Sequence, residues 1–159
     1  MATFIIEIHP RTAALDPLSK RVSAELIEAG EPAKTAVVET SRLFRIEGEL
    51  TAVQIENVTN TLLVDPVVET SAVTSDLPAK PGKKAAAPPK LKGGFVLDVW
   101  PKPGVTDPVS ETVEKGLRDL GLSVQVKTAS AQRFYFPKVS GEALILSLAK
   151  RTLANELIH

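Results

Sequence analysis

FIIEIHPRTAALDPLSKRVSAELIEAG, residues 4–30, and FVLDVWPKPGVTDPVSETVEKGLRDLG, residues 95–121, are two versions of one pattern set 91 residues apart. Each opens with alternating apolar residues, the mark of a strand with one buried face. Phe4, Ile6 and Ile8 share one side, with Ile5, Glu7 and His9 on the other; Phe95, Leu97 and Val99 stand against Val96, Asp98 and Trp100. Pro10 and Pro101 end the strand, because proline cannot donate to the ladder. Asp16-Pro17 and Asp107-Pro108 then start a helix: the carboxylate accepts from the first free N–H groups, and proline at the first helical position sacrifices no bond. Leu18, Val22, Leu26 and Ala29 form an apolar stripe that Val109, Val113, Leu117 and Leu120 repeat, and Gly30 and Gly121 occupy the left-handed C-cap position.

Outward from these stretches the offset of 91 continues without a gap. Arg42 aligns with Arg133, Ala52 with Ala143, Thr61 with Thr152 and Leu62 with Leu153, for 12 identities over positions 4–68. Chance at average composition gives roughly four, so the chain reads as an internal repeat. Two short strands are expected near 33–39 and 42–47, and again near 123–129 and 132–136. A second helix follows at 51–63 and 140–154, with Ile55, Val58 and Leu62 matched by Leu146, Ala149 and Leu153. Residues 67–73 read as a last edge strand after Asp65-Pro66; the second copy reaches His159 where that strand would begin, which suggests a polypeptide that continues.

The fold class is therefore α+β: a two-layer sandwich of duplicated βαββα(β) modules, residues 1–73 and 94–159, joined by a linker over 74–93. The linker, rich in Pro, Ala, Lys and Gly, cannot bury enough surface to order itself. Its five lysines face one aspartate and no aromatic residue, as in a self-repelling spacer of roughly 25 Å. A module of this size is marginal alone, so the two are expected to pair as a single-chain pseudo-dimer.

Composition narrows the chemistry. With no cysteine, thiol nucleophiles and disulfides are excluded, and the cytoplasm is the expected location. A formal net charge of zero gives no electrostatic case for nucleic acid or an anionic membrane, and no apolar run approaches a membrane span. No catalytic, cofactor-binding or metal constellation stands out. His9 and His159 lack a ligand cluster, PGKK at 81–84 lacks the strand and helix of a phosphate loop, and Ser19 and Ser110 have no activating histidine. The acidic residues read as scattered on polar helix faces. Asp16, Pro17, Asp107 and Pro108 are structural caps. Trp100, Arg42, Arg133 and Tyr135 are the candidate partner contacts: Trp100 lies on the outward register of its strand, and Arg133-Phe134-Tyr135-Phe136 cannot turn all three rings to one core. For the two arginines a local salt bridge is the plainer reading.

Residues 99–117, Val-Trp-Pro-Lys-Pro-Gly-Val-Thr-Asp-Pro onward, resemble the first strand and helix of PurS, the small subunit of phosphoribosylformylglycinamidine synthase. The Lys102-Pro103-Gly104-Val105 turn and Asp107-Pro108 carry the likeness; Arg11, Ala13, Ala14, Asp16 and Pro17 form a degraded copy. Residues 62–69 and 153–158 resemble the family's second-helix end and final strand. Where that family has a Gly-Lys turn, Glu39-Thr40-Ser41 and Thr128-Ala129-Ser130-Ala131 stand instead. The resemblance implies a non-catalytic subunit, or the N-terminal domain of a fused enzyme. It would bridge a PurL-type ATP-dependent synthetase and a PurQ-type glutaminase in purine biosynthesis, with ATP and Mg bound by the synthetase. The alternative is a tandem ACT-like sensor of small molecules, of which Pro103-Gly104 after the first strand is an echo. An RNA-binding α+β module is a third reading, permitted by Phe134 and Tyr135 and opposed by the neutral charge.

Overall fold

The computed structural model describes residues 2–76, 94–122, 125–139 and 141–153. The first half runs β1 (Ala2–Pro10), α1 (Pro17–Glu28), β2 (Glu39–Gly48), α2 (Ala52–Val58) and β3 (Glu69–Ser75); the second runs β4 (Phe95–Val99), α3 (Pro108–Asp119), β5 (Lys127–Phe136) and α4 (Glu142–Leu148). Five antiparallel strands lie in the order β3-β1-β2-β5-β4, so β2 and β5 join the halves into one sheet. With four α-helices among the described residues the protein is α+β.

Local chemistry places α1 and α3. The Asp16 carboxylate accepts from Ser19 N–H at 2.9 Å and that of Asp107 from Ser110 N–H at 3.0 Å, each with proline at the helix start. Both helices end on a Schellman turn, with Gly30 at φ +104 and Gly121 at φ +78. The closing bonds run from Glu31 N–H to Leu26 O and from Leu122 N–H to Leu117 O. α2 and α4 each run on into a widened π turn, Thr59–Leu63 and Ala149–Leu153.

The expected pair of strands after the first helix is one strand in each half, giving βαβαβ and βαβα rather than βαββα(β). In the first half, Thr35 and Ala36 N–H close a turn on Pro32 O. Ala36 and Val38, which alternate like a strand, instead plug the core beneath α1 at 2% and 8% exposure. The expected break at Thr40-Ser41 has no Gly, Pro, Asn or Asp to turn the chain, and β2 needs an unbroken ladder because it is paired on both sides. Of the matching expectation near 123–129, residues 123 and 124 lie outside the described residues. β3 continues to Ser75, two residues into the stretch read as linker, and Asp76 closes it by accepting from Thr3 N–H at 2.8 Å; residues 77–93 lie outside the described set.

The expected gapless offset of 91 does not hold throughout. Phe4 faces Ile46 across β1 and β2, while Phe95 faces Phe136 across β4 and β5. The offset is thus 91 in the first strand and helix but 90 beyond, where the second half is one residue shorter. Caps and helices agree: Asp16 holds Thr40, Asp107 holds Ser130, and Ala52–Val58 answers Glu142–Leu148. The aligned Arg42/Arg133, Ala52/Ala143, Thr61/Thr152 and Leu62/Leu153 are not equivalent places. Buried Phe44, Ile55 and Val58 correspond to buried Phe134, Ile145 and Leu148, and Leu146, expected inside, is 48% exposed.

Each core draws on both halves. Phe4, Ile6, Ile8, Phe44, Ile46, Ile55 and Val58 bury against Val113 and Leu117 of α3. Val99, Phe134, Phe136, Ile145 and Leu148 bury against Val22 and Leu26 of α1. Each first helix thus stays fastened to the second strand of its own half while its buried side chains join the core of the other half.

Candidate functional site

Among the described residues the helices occupy one side of the sheet and none packs on the other, the open face, where Leu43 and Ser41 are nevertheless only 1% and 4% exposed. Four strands each contribute one polar side chain to a row across this open face: Glu7 from β1, Ser41 from β2, Arg133 from β5 and Asp98 from β4. The register puts Ser41 and Asp98 on either side of Arg133. Arg133 donates to Asp98 through Nε at 2.7 Å and Nη2 at 2.9 Å, and to Glu7 Oε2 through Nη1 at 3.0 Å. Ser41 Oγ donates to the other Glu7 oxygen at 2.7 Å, and His9 Nε2 stands 3.6 Å from it. The hydrogen bond to Asp98 and the Glu7 charge hold the Arg133 guanidinium above its ordinary pKa against the opposing effect of burial. Glu7 is only 9% exposed, so removing its arginine partner would be costly. The acidic residues do not all lie scattered on helix faces: Glu7 and Asp98 converge on one arginine and clamp the halves together. The signal was present in the sequence as an acid at the same place in both first strands, but only the β2–β5 pairing supplies the arginine between them.

The other candidates separate. Arg42 is on the helix side of β2, bound to Glu69 at 2.6 Å and reaching Leu63 O at 3.5 Å; it ties the end of α2 to the start of β3. Tyr135 lies on the open face opposite Val96 and Glu39, while Phe134 and Phe136 turn inward at 3% and 0% exposure. Trp100 packs its ring 5.4 Å from the guanidinium of Arg45, a residue sequence reasoning did not single out. Asp16 and Asp107 do more than cap. Asp16 also accepts from Thr40 N–H and Oγ at 3.1 and 2.8 Å, and Asp107 from Ser130 N–H and Oγ at 2.8 Å each, fastening helix to strand. At Asp107 burial pushes the carboxyl up, but the hydrogen bonds from Ser110 and Ser130 outweigh it and hold it below the usual carboxylate value.

Beside Trp100 a cleft of about 640 Å³ opens between the Lys102–Asp107 turn, Glu111 and Glu114 of α3, Thr128 and Arg45. Its rim is the Lys-Pro-Gly-Val turn, closed by Val105 N–H on Lys102 O with Gly104 at φ +83. Glu114 is engaged by Thr128 N–H at 3.1 Å. Among the described residues no group of three or more His, Cys, Asp or Glu side chains could hold a metal ion, and no helix is long and apolar enough to cross a membrane. His159 lies outside the described residues.

A family model described as PurS: Phosphoribosylformylglycinamidine (FGAM) synthase matches residues 95–159. Residues 95–159 are a PurS-like region. The match begins on the first residue of β4 and takes in Trp100, the Lys102–Val105 turn, the Asp107 cap and Arg133. The PurS-like region links the chain to FGAM synthase and purine biosynthesis. No curated protein and no solved structure matches the chain.

Proposed function

We propose that this chain is a non-catalytic bridging component of phosphoribosylformylglycinamidine synthase, either a subunit or an N-terminal domain, working in the cytoplasm. In this reading residues 1–73 and 94–159 are two PurS-like modules joined by the 74–93 linker and act as a pseudo-dimer. They couple a PurQ-type glutaminase to a PurL-type synthetase, which binds the ATP and Mg. The observation that carries the reading is the PurS match over 95–159. The first half supports its extension: it has the same capped helix, the same glycine turn and the same strand register as the matched half. The open face, with Trp100, Arg45, Tyr135 and the Glu7–Arg133–Asp98 row, is the surface offered to the partners.

Reconstitution tests this. Purified chain is mixed with the synthetase and glutaminase, and glutamine-dependent ligase activity and co-elution are followed. The reading expects both to require the chain; full activity of the two partners alone, with the chain eluting separately, would refute it. The cleft favours one second reading, an ACT-like sensor. It sits at the Pro103-Gly104 turn with Arg45 and Glu111 on its walls, groups suited to the carboxylate and amine of an amino acid. Thermal stabilisation by free amino acids, lost in Arg45→Ala, would select that reading.

A further inference from the structure

The β2–β5 ladder is symmetric about the Arg42–Gln132 pair: one step to either side, Ser41 stands opposite Arg133 and Leu43 opposite Ala131. The outer ladders keep the same order, with Glu7 of β1 opposite Leu43 and Asp98 of β4 opposite Arg133. A two-fold axis through the Arg42–Gln132 pair therefore exchanges Glu7 with Asp98, Leu43 with Arg133 and Ser41 with Ala131. These residues all lie on the open face, and their chemistry does not follow the axis. The acid recurs, but its cross-strand neighbour is aliphatic in the first half and a guanidinium in the second, and the hydroxyl stands only in the first.

One arginine thus serves two acids. Arg133 holds Asp98 beside it and reaches across β2, between Ser41 and Leu43, to Glu7 Oε2 at 3.0 Å. Pairing either half with its own kind undoes this. Two first halves joined by the same two-fold bring together two Glu7 carboxylates, each with its Ser41 hydroxyl but neither with a cation, at a place where Glu7 is 9% exposed. Two second halves set two guanidiniums diagonally across the axis, on residues about 7–8 Å apart, where Leu43 leaves room for one. Unlike halves alone supply one guanidinium, one aliphatic side chain and two acids. Every chain carries one half of each kind, so each pair of second halves also strands two first halves.

We infer that the Arg133–Leu43 difference is a recognition device: the seam face of each half accepts the other half and refuses its own kind. The inference rests on the reading of the halves as two paired modules, but its readouts involve neither synthetase nor glutaminase, so its failure and that of the bridging role are told apart. Urea unfolding of the full chain compares Arg133→Leu, Leu43→Arg and the double variant. Each single change makes the two seam faces alike and should lower the midpoint, Arg133→Leu by about 1 M. The double variant moves the guanidinium across the axis, beside Glu7 and within reach of Asp98, and should regain at least about half of that loss. A full chain carrying a protease site at residues 81–84 is then folded, cut, and held in sub-denaturing urea so that halves exchange, and the pairs are sorted by native mass spectrometry. Parent halves should stay more than about nine-tenths unlike, whereas Leu43→Arg, with arginine on both seam faces, should drift toward the roughly equal like and unlike pairs of a random draw. A double variant no more stable than Arg133→Leu, parent halves that scramble, or a Leu43→Arg protein that keeps only unlike pairs would each overturn the inference.

Discussion

Replacing Asp16 by alanine removes three things at once. The first is the helix cap to Ser19 N–H, a contact of about 1 kcal/mol. The others are the acceptors for Thr40 N–H and Thr40 Oγ, both on a residue 7% exposed. A buried donor left without its charged acceptor costs about 1–3 kcal/mol, and the two share one hole that water can partly fill. The expected loss is about 3 kcal/mol. At a urea slope of about 2–3 kcal/mol/M, that moves the unfolding midpoint down by about 1 M or more. Asp16→Asn separates the parts. Its remaining oxygen can still accept from Ser19 N–H and Thr40 Oγ, but its amide presents a donor to Thr40 N–H, so it should recover part of the loss and not all of it. The assay is equilibrium urea unfolding followed by tryptophan fluorescence and circular dichroism on the three proteins. If Asp16→Asn is as stable as the parent, or Asp16→Ala loses under about 1 kcal/mol, the carboxylate does not fasten helix to strand and the reasoning fails.

Other consequences are as specific. Gly94 has φ +81, and a Cβ there would run into Phe136 O and come within 2.8 Å of Pro137 Cα, so Gly94→Ala should cost about 2–4 kcal/mol in thermal or urea unfolding. Gly104, at φ +83 with nothing within 4 Å, should lose only about 1 kcal/mol on the same change. The Asp107 carboxyl titrates lower in the folded protein than in the unfolded chain. The unfolded state thus binds its proton first on acidification, and the stability Asp107 contributes is complete above the unfolded carboxylate value and lost as pH falls through the folded one. Asp107→Asn should flatten that part of a stability–pH curve measured by urea midpoints. Arg133→Met leaves Glu7 and Asp98 facing each other without a cation and should cost about 2–3 kcal/mol at neutral pH. Adding Glu7→Gln should recover part of this, and a double-mutant cycle showing no coupling between the two positions would remove the row from the account.

How far the sequence could be read depends on the range of the chemistry involved. Caps and glycine turns are decided within a few residues, and Asp16-Pro17, Asp107-Pro108, Gly30 and Gly121 stood where the sequence put them. Alternation misled at Ala36 and Val38, because a two-residue period fits a plug under a helix as well as a strand, and only the ladder tells them apart. Identity also misled: Arg42 over Arg133 kept the alignment gapless, yet the two side chains lie on opposite faces of the sheet and pair with different acids. Burial is the sounder guide to equivalence, since Phe44 and Phe134 must fill comparable holes while a surface arginine need not recur. The Glu7–Arg133–Asp98 row was beyond reach for a further reason: it exists only once β2 and β5 are neighbours, and no local pattern states which strands of the two halves will meet.

That same adjacency gives the arrangement its logic. Each first helix is fastened to the second strand of its own half, yet its buried side chains serve the other half. Here Val22 and Leu26 close the core of the second half, and Val113 and Leu117 close the core of the first. Hydrophobic burial is non-directional and would permit other pairings, whereas Arg133 binding Glu7 across the seam accepts only the observed β2–β5 register. Exchange of helices holds the halves together, and the ion row selects their alignment. The bridging role proposed above would need both, because partners bound to different halves would keep a fixed geometry only if the seam between those halves can neither open nor slip.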